Sequence, residues 1–133
     1  MEVGPLRSRE ASWVGPGALS GLMLLALLLR SLGFEWVFVD DETVVFPAAD
    51  PQYHIRRSFS AWMEFPRVLL RDPYLAHPGG AAVPWPPLFD FVVAALAKVA
   101  VLLKVVARDA LGFQRVAAWV PPLIGTLTLI PVY

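Results

Sequence analysis

The chain has 133 residues, 57% of them hydrophobic, with a mean hydropathy of +0.60. Soluble domains run at roughly 45–50% apolar, so this is a membrane-type balance. Eleven basic residues against eleven acidic ones exclude a strongly basic nucleic-acid binder, and no nucleic acid is expected as a partner. The lack of cysteine excludes disulfides, a thiolate metal site and a cysteine nucleophile.

In chain order, the first element is the charge-free run 11–29, ASWVGPGALSGLMLLALLL, preceded by Arg7 and Arg9. Its length matches the roughly 20 residues needed to cross a hydrocarbon core. No small-residue cleavage site follows it, so an uncleaved spanning helix is expected at about residues 11–32, with Gly15, Pro16 and Gly17 marking an irregular start.

A long loop follows, at about residues 33–86. FEWVFVDDETVVF reads as two short β-type runs around Asp40, Asp41 and Glu42. Adjacent carboxylates in a turn do not converge on one point, so a turn is expected there and not a cation site. A helix is expected from Pro51 to about Glu64, stopped before Pro66, with Asp50 as its N-cap. Ile55, Phe59, Trp62 and Met63 give this helix an apolar stripe for packing or interfacial seating. Asp72-Pro73 repeats the cap arrangement, and the prolines and glycines of HPGGAAVPWPPLFD exclude regular structure until Leu88.

The second span is expected at about residues 87–107, carrying Asp90, Lys98 and Lys104. Asp90 and Lys104 fall near its ends, and Lys98 is expected to snorkel as a structural residue. A third apolar run, from Val116 on, is still apolar at Tyr133, so a third span is expected to begin at 116–133 and the chain to be a portion of a longer protein. Arg7 and Arg9, then Lys104, Arg108 and Arg115, lie on the same side by the positive-inside rule. The net acidic loop between them is expected outside. The expected fold class is therefore mainly α: a polytopic, multi-pass membrane protein whose long first external loop holds short helices and a small β-type hairpin.

Asp50, His54 and Arg57 fall on one helix face at spacings of four and three. As chemistry, the carboxylate offers oxygen to a divalent cation and the basic residues suit phosphate. As structure, the strip is a capped, solvated helix face. One carboxylate and one histidine do not complete a metal site.

VFVDDETVVFPAADPQYHIRR, RDPYLAHPGG, PWPPLFD and PPLIGTLTLIPVY, in this order and spacing, resemble the N-terminal end of the catalytic subunit of oligosaccharyltransferase. The likeness is to the archaeal and bacterial members of this GT-C membrane glycosyltransferase family. It covers roughly residues 30–133, with Gln52 departing where an aromatic is usual. The resemblance implies transfer of a preassembled glycan from a polyprenyl-(pyro)phosphate carrier to the asparagine of Asn-x-Ser/Thr in an acceptor polypeptide. It implies membrane lipid as surroundings, a prokaryotic plasma membrane as the place, and Mn²⁺ or Mg²⁺ as cofactor. The family's metal-binding and catalytic aspartate matches Asp50. His54 and Arg56 match the family pattern and, with Arg57, are expected beside the metal, on lipid phosphate, or in the fold. The family's second acidic motif and its Trp-Trp-Asp motif are not in these residues, so the chain alone is expected to be inactive. The alternatives are another GT-C enzyme using polyprenyl-phosphate sugars, or a small non-catalytic membrane protein whose external loop binds a partner.

Overall fold

A computed structural model describes residues 14–132. The basic flank Arg7 and Arg9 and the first residues of the expected first span lie outside the described residues, as does Tyr133. The described chain is mainly helical and divides into two compact units. One comprises residues up to Leu32 together with those from Pro122 onward, the other Gly33–Pro121.

In the first unit, α1 (Val14–Ser31) is a continuous apolar helix. Within the 23 residues Gly15–Val37, an 18-residue portion has a mean hydropathy of 1.7, and none of it is buried. Among the described residues this is the one stretch long and apolar enough to cross a membrane. The Arg30 side chain lies against Gly125, where an added Cβ would come within 2.8 Å of its Nε.

The second unit begins with α2 (Phe34–Val37), a single turn, and a lone antiparallel bridge between Phe38 and Val44. The two β-type runs expected here are thus reduced to one bridge, because the first of them is helical. The acidic turn is present: the Glu42 backbone N–H donates to Asp40 Oδ1 at 2.8 Å, and this bond holds the Asp40 carboxyl below its usual range.

Helix α3 (Ala49–Met63) ends at Glu64, whose N–H still reaches the Ser60 carbonyl at 3.0 Å, ahead of Pro66 as expected. Its start differs from the expectation. The N-cap is Ala48, in extended conformation and without a side-chain cap, so Asp50 and Pro51 both lie inside the first turn. Proline is tolerated there because the first-turn N–H groups have no intrahelical acceptor. Asp50 is no cap; it faces solvent at the positive end of the helix dipole. The entry is fixed instead by Gln52, whose amide donates to the Phe46 carbonyl at 3.0 Å.

Strand β1 (Arg71–Asp72) pairs antiparallel with β2 (Ala81–Ala82), Arg71 opposite Ala82. This small hairpin lies where prolines and glycines seemed to forbid regular structure. Gly80 makes it possible, with φ +67° and no room for a Cβ, which would sit 3.1 Å from the Asp72 carbonyl oxygen.

Helix α4 (Leu88–Leu102) stops five residues before the expected end at 107. The cause is local. Lys104 takes φ +57°, its N–H bonds the Val101 carbonyl, and the Val105 N–H bonds that of Ala100. That pair of bonds is a Schellman ending with lysine at the left-handed position. At 1.5 Å per residue, 15 residues reach about 22 Å, less than a hydrocarbon core of about 30 Å.

Helix α5 (Ala110–Leu127) begins six residues before the expected third span. Asp109 caps it, accepting the Gly112 N–H at 2.7 Å. The core of the second unit forms where α3, α4 and the part of α5 up to Pro121 meet, around Trp62, Val93, Ala97, Phe113 and Val120. Alanines 61, 94, 97 and 117 let the helices approach, and Phe113 meets Phe59 edge-on at 5.2 Å. Ile55, Phe59 and Trp62 pack as the expected stripe, while Met63 remains exposed.

Candidate functional site

The residues singled out from sequence all lie on α3, and the structure sends them to three different environments. Asp50 is exposed, its side chain 75% accessible. One turn later His54 is mostly covered, with Nε2 4.0 Å from Asp50 Oδ1 and Nδ1 3.2 Å from Asp90 Oδ1. Arg57 is fully buried, with Nη2 2.6 Å from Asp90 Oδ2. It is not part of a solvated strip, and the sequence expectation is corrected there. The reason is position. Arg57 and Ser58 share the buried face of α3 with Ala61 and Trp62, the face that packs on α4.

Asp90 is the focus of this cluster. It lies in the first turn of α4 and is almost wholly buried. Besides His54 and Arg57, the Ser58 hydroxyl donates to its Oδ1 at 3.2 Å. The Arg57–Asp90 contact is a close ion pair whose angles fall outside hydrogen-bond geometry, and Arg57 Nε and Nη1 have no acceptor among the described residues. A buried ion pair of this kind gives little net stability while intact, and much is lost when one partner goes.

Arg56 leaves α3 in another direction. Its guanidinium pairs with the fully buried carboxylate of Asp72 and sits over the rings of Tyr53 and Tyr74, 5.3 and 5.1 Å from their centroids. Asp72 Oδ1 also accepts the Tyr74 N–H at 2.9 Å. The second Asp-Pro therefore anchors the β1–β2 hairpin to α3 and caps no helix. Lys98 is partly buried, its amine 5.2 Å from the Trp62 ring centroid, a cation–π packing within the α3–α4 contact.

Asp50 and His54 open onto a cleft of about 170 Å³ whose other walls include Phe46, Ile55, Phe89 and Ala117. Trp85 and Phe89 flank the His54 ring, 6.2 and 5.6 Å between centroids. The cleft thus presents an exposed carboxylate and an imidazole nitrogen against apolar walls.

A divalent hard cation wants about six oxygen-type ligands. Among the described residues no group of three or more His, Cys, Asp or Glu side chains is placed to hold one. Asp50 fits as a single carboxylate ligand, and these residues do not themselves make a metal centre. Asp90 and Asp72 escaped the sequence reading as site residues. A signal existed: Arg57 shares a helix face with apolar residues, and a buried arginine demands a carboxylate, which Asp90 at the start of the next apolar helix supplies.

Compared with known proteins, the chain matches no family model and no solved structure. It is similar to the dolichyl-phosphooligosaccharide-protein glycotransferase 2 of Archaeoglobus fulgidus, 33% identical over 73 residues. Those residues are 55% of this chain and 12% of that relative, so the chain spans only a small part of the relative's length.

Proposed function

We propose that the chain is the N-terminal portion of an oligosaccharyltransferase catalytic subunit. The enzyme moves a glycan from a polyprenyl-(pyro)phosphate carrier to the asparagine of Asn-x-Ser/Thr in an acceptor polypeptide. The reading is supported by the similarity to a named glycotransferase and by the membrane-type helix at Gly15–Val37. The observation that carries it is the disposition of Asp50: a solvent-exposed carboxylate held at a helix start, at the mouth of a cleft, with no cap to make.

In this reading the chain is a multi-pass membrane portion. The segment between α1 and α4 faces outward, and the exposed apolar side chains of α4 (Leu88, Leu96, Val99 and Leu102) face lipid. Asp50 supplies one ligand to Mn²⁺ or Mg²⁺, and the remaining ligands lie in parts of the enzyme beyond these residues. A cation bound there would neutralise charge on the departing pyrophosphate. The chain's own residues then have separate tasks. Asp50 places a full negative charge at the cleft mouth, His54 presents its Nε2 beside it, and Phe46, Ile55 and Phe89 keep bulk water from that wall. Arg57, buried against Asp90, holds the fold, whereas Arg56 pairs with the buried Asp72 carboxylate while its side chain stays 42% exposed.

The test is direct transfer. The full-length protein, purified in detergent, is given polyprenyl-linked oligosaccharide and a fluorescent peptide containing Asn-Ala-Thr. Metal-dependent glycopeptide is expected, with none from the Gln-Ala-Thr control peptide. Failure to glycosylate with any polyprenyl-linked glycan while the protein is folded would favour the partner-binding alternative.

A further inference from the structure

Across Ile55 from the cleft at Asp50 and His54 lies a second cavity, between α3 and the start of α5. It has a volume of about 250 Å³ and is walled by Gln52, Ile55, Arg56, Phe59, Ala110 and Gln114. Half of these walls are polar, and none brings an uncompensated charge. The Arg56 guanidinium is paired with the buried Asp72 carboxylate, which the Tyr74 N–H holds at 2.9 Å. The arginine side chain is nevertheless 42% exposed, and its fork has more N–H donors than one carboxylate oxygen uses. Gln52 donates its amide N–H to the Phe46 carbonyl at 3.0 Å and keeps its own oxygen as an acceptor, while Gln114 brings an amide able to donate and accept. We infer that this cavity is a subsite for one uncharged sugar ring of a glycan. The sugar class follows from the walls; that the glycan is the carrier-linked one rests on the function proposed above.

The walls discriminate between ligand classes. A phosphate or carboxylate wants an uncompensated cation or a bare helix N-terminus. Arg56 already has its carboxylate, and the start of α5 already has its cap, Asp109, which accepts the Gly112 N–H at 2.7 Å. An acyl or isoprenoid chain would strand three polar side chains against hydrocarbon. A sugar ring fits both halves of the wall. Its hydroxyls donate and accept around the ring edge, as the glutamine amides do, and its C–H face is apolar, like Ile55, Phe59 and Ala110. The volume falls below the roughly 300–1,000 Å³ of pockets for drug-sized ligands, which suits a single ring. The same guanidinium sits over the exposed Tyr74 ring, 5.1 Å from its centroid, so the polar and aromatic surface continues beyond the cavity.

Saturation-transfer difference NMR tests the subsite on the full-length protein in a detergent without a sugar headgroup. The probes are free maltose, mannobiose and N,N′-diacetylchitobiose, none of which carries phosphate or lipid. At least one disaccharide is expected to receive saturation at its ring C–H protons. The signal is expected to fall by about tenfold or more in each of two variants that melt like the parent. Ala110→Leu fills the cavity and removes no polar group; Gln114→Leu keeps the bulk and removes the amide. No transfer to any of the three sugars, or a full signal in both variants, would overturn the subsite. Binding of inorganic phosphate or of acetyl-Ala-Gly-Ala-amide that Ala110→Leu abolishes, with no sugar bound, would assign the cavity to an anion or a peptide and overturn it too. In glycan transfer, Ala110→Leu is expected to raise the concentration of polyprenyl-linked oligosaccharide for half-maximal rate by about tenfold, with the acceptor-peptide requirement unchanged. The opposite split would overturn the link to the carrier-linked glycan. Sugar binding by a parent that transfers no glycan would sink the proposed function and leave the subsite standing.

Discussion

Asp50 lies in solvent in the first turn of α3 and caps nothing, so its removal separates function from folding more cleanly than a capping role would allow. Asp50→Ala forfeits only a favourable helix-dipole contact, about 0.3–1 kcal/mol. Thermal unfolding of the purified variant is expected to show a correspondingly small shift, and a loss above about 2 kcal/mol, the upper end of a lost N-cap, would contradict the placement of Asp50. Arg57 is the opposite case. Arg57→Met strands the buried Asp90 carboxylate and is expected to cost about 3–5 kcal/mol, whereas Arg57→Met with Asp90→Leu recovers most of that loss. Equal destabilisation in both variants would show that the pair does not act as a unit. The sequence spacing placed Asp50, His54 and Arg57 on one helix but could not separate the exposed carboxylate from the buried guanidinium. That distinction arises only when α4 brings Asp90 to the face.

At the scale of elements, helix ends decide what the apolar runs become. The left-handed Lys104 ends α4, and such a conformation costs a side-chain-bearing residue about 1–2 kcal/mol. Lys104→Gly is therefore expected to stabilise the second unit by about 0.5–1 kcal/mol once the looser unfolded chain is counted. Chemical unfolding followed by tryptophan fluorescence measures it, and destabilisation would argue against the Schellman ending. At the start of α5, Gly112 has no space for a methyl group, since a Cβ would lie 2.2 Å from the Ala107 carbonyl oxygen. Gly112→Ala is expected to destabilise by about 1–3 kcal/mol through overpacking, and Asp109→Ala by about 0.5–2 kcal/mol through the lost cap. The extent of α3 was legible because Pro51 and Pro66 bracket it and its apolar stripe repeats at helical spacing. The end of α4 and the start of α5 were not, because a left-handed Lys104 lies within the apolar run and the cap at Asp109 opens a helix ahead of the apolar run that begins at Val116. The β1–β2 hairpin was hidden for a related reason: its pairing is secured by Gly80 and by Arg56 on a distant helix, both invisible to local composition.

For the whole molecule, the described residues hold one apolar stretch of membrane-spanning length, within Gly15–Val37, and 73 residues are 33% identical to a named glycotransferase, while the buried Asp90 cluster joins α3 to α4 below Asp50. A candidate membrane helix near the N-terminus was legible in composition, whereas the Asp90 cluster required the α3–α4 packing. If the segment between α1 and α4 faces outward, a cysteine placed at Thr43 reacts with an impermeant maleimide in intact cells and one at Arg108 does not. The reverse pattern would overturn that orientation. The central claim is that Asp50 serves the reaction as a metal carboxylate, and Asp50→Asn tests it, because the amide keeps the shape and loses the charge. The measurement is glycopeptide formation by the full-length protein and its Asp50→Asn variant across a Mn²⁺ titration, with melting temperatures matched. Losing several kcal/mol of charge stabilisation, at about 1.4 kcal/mol per tenfold, predicts transfer reduced by about a hundredfold or more at each Mn²⁺ concentration. Parental turnover with an unchanged Mn²⁺ requirement in Asp50→Asn would contradict it.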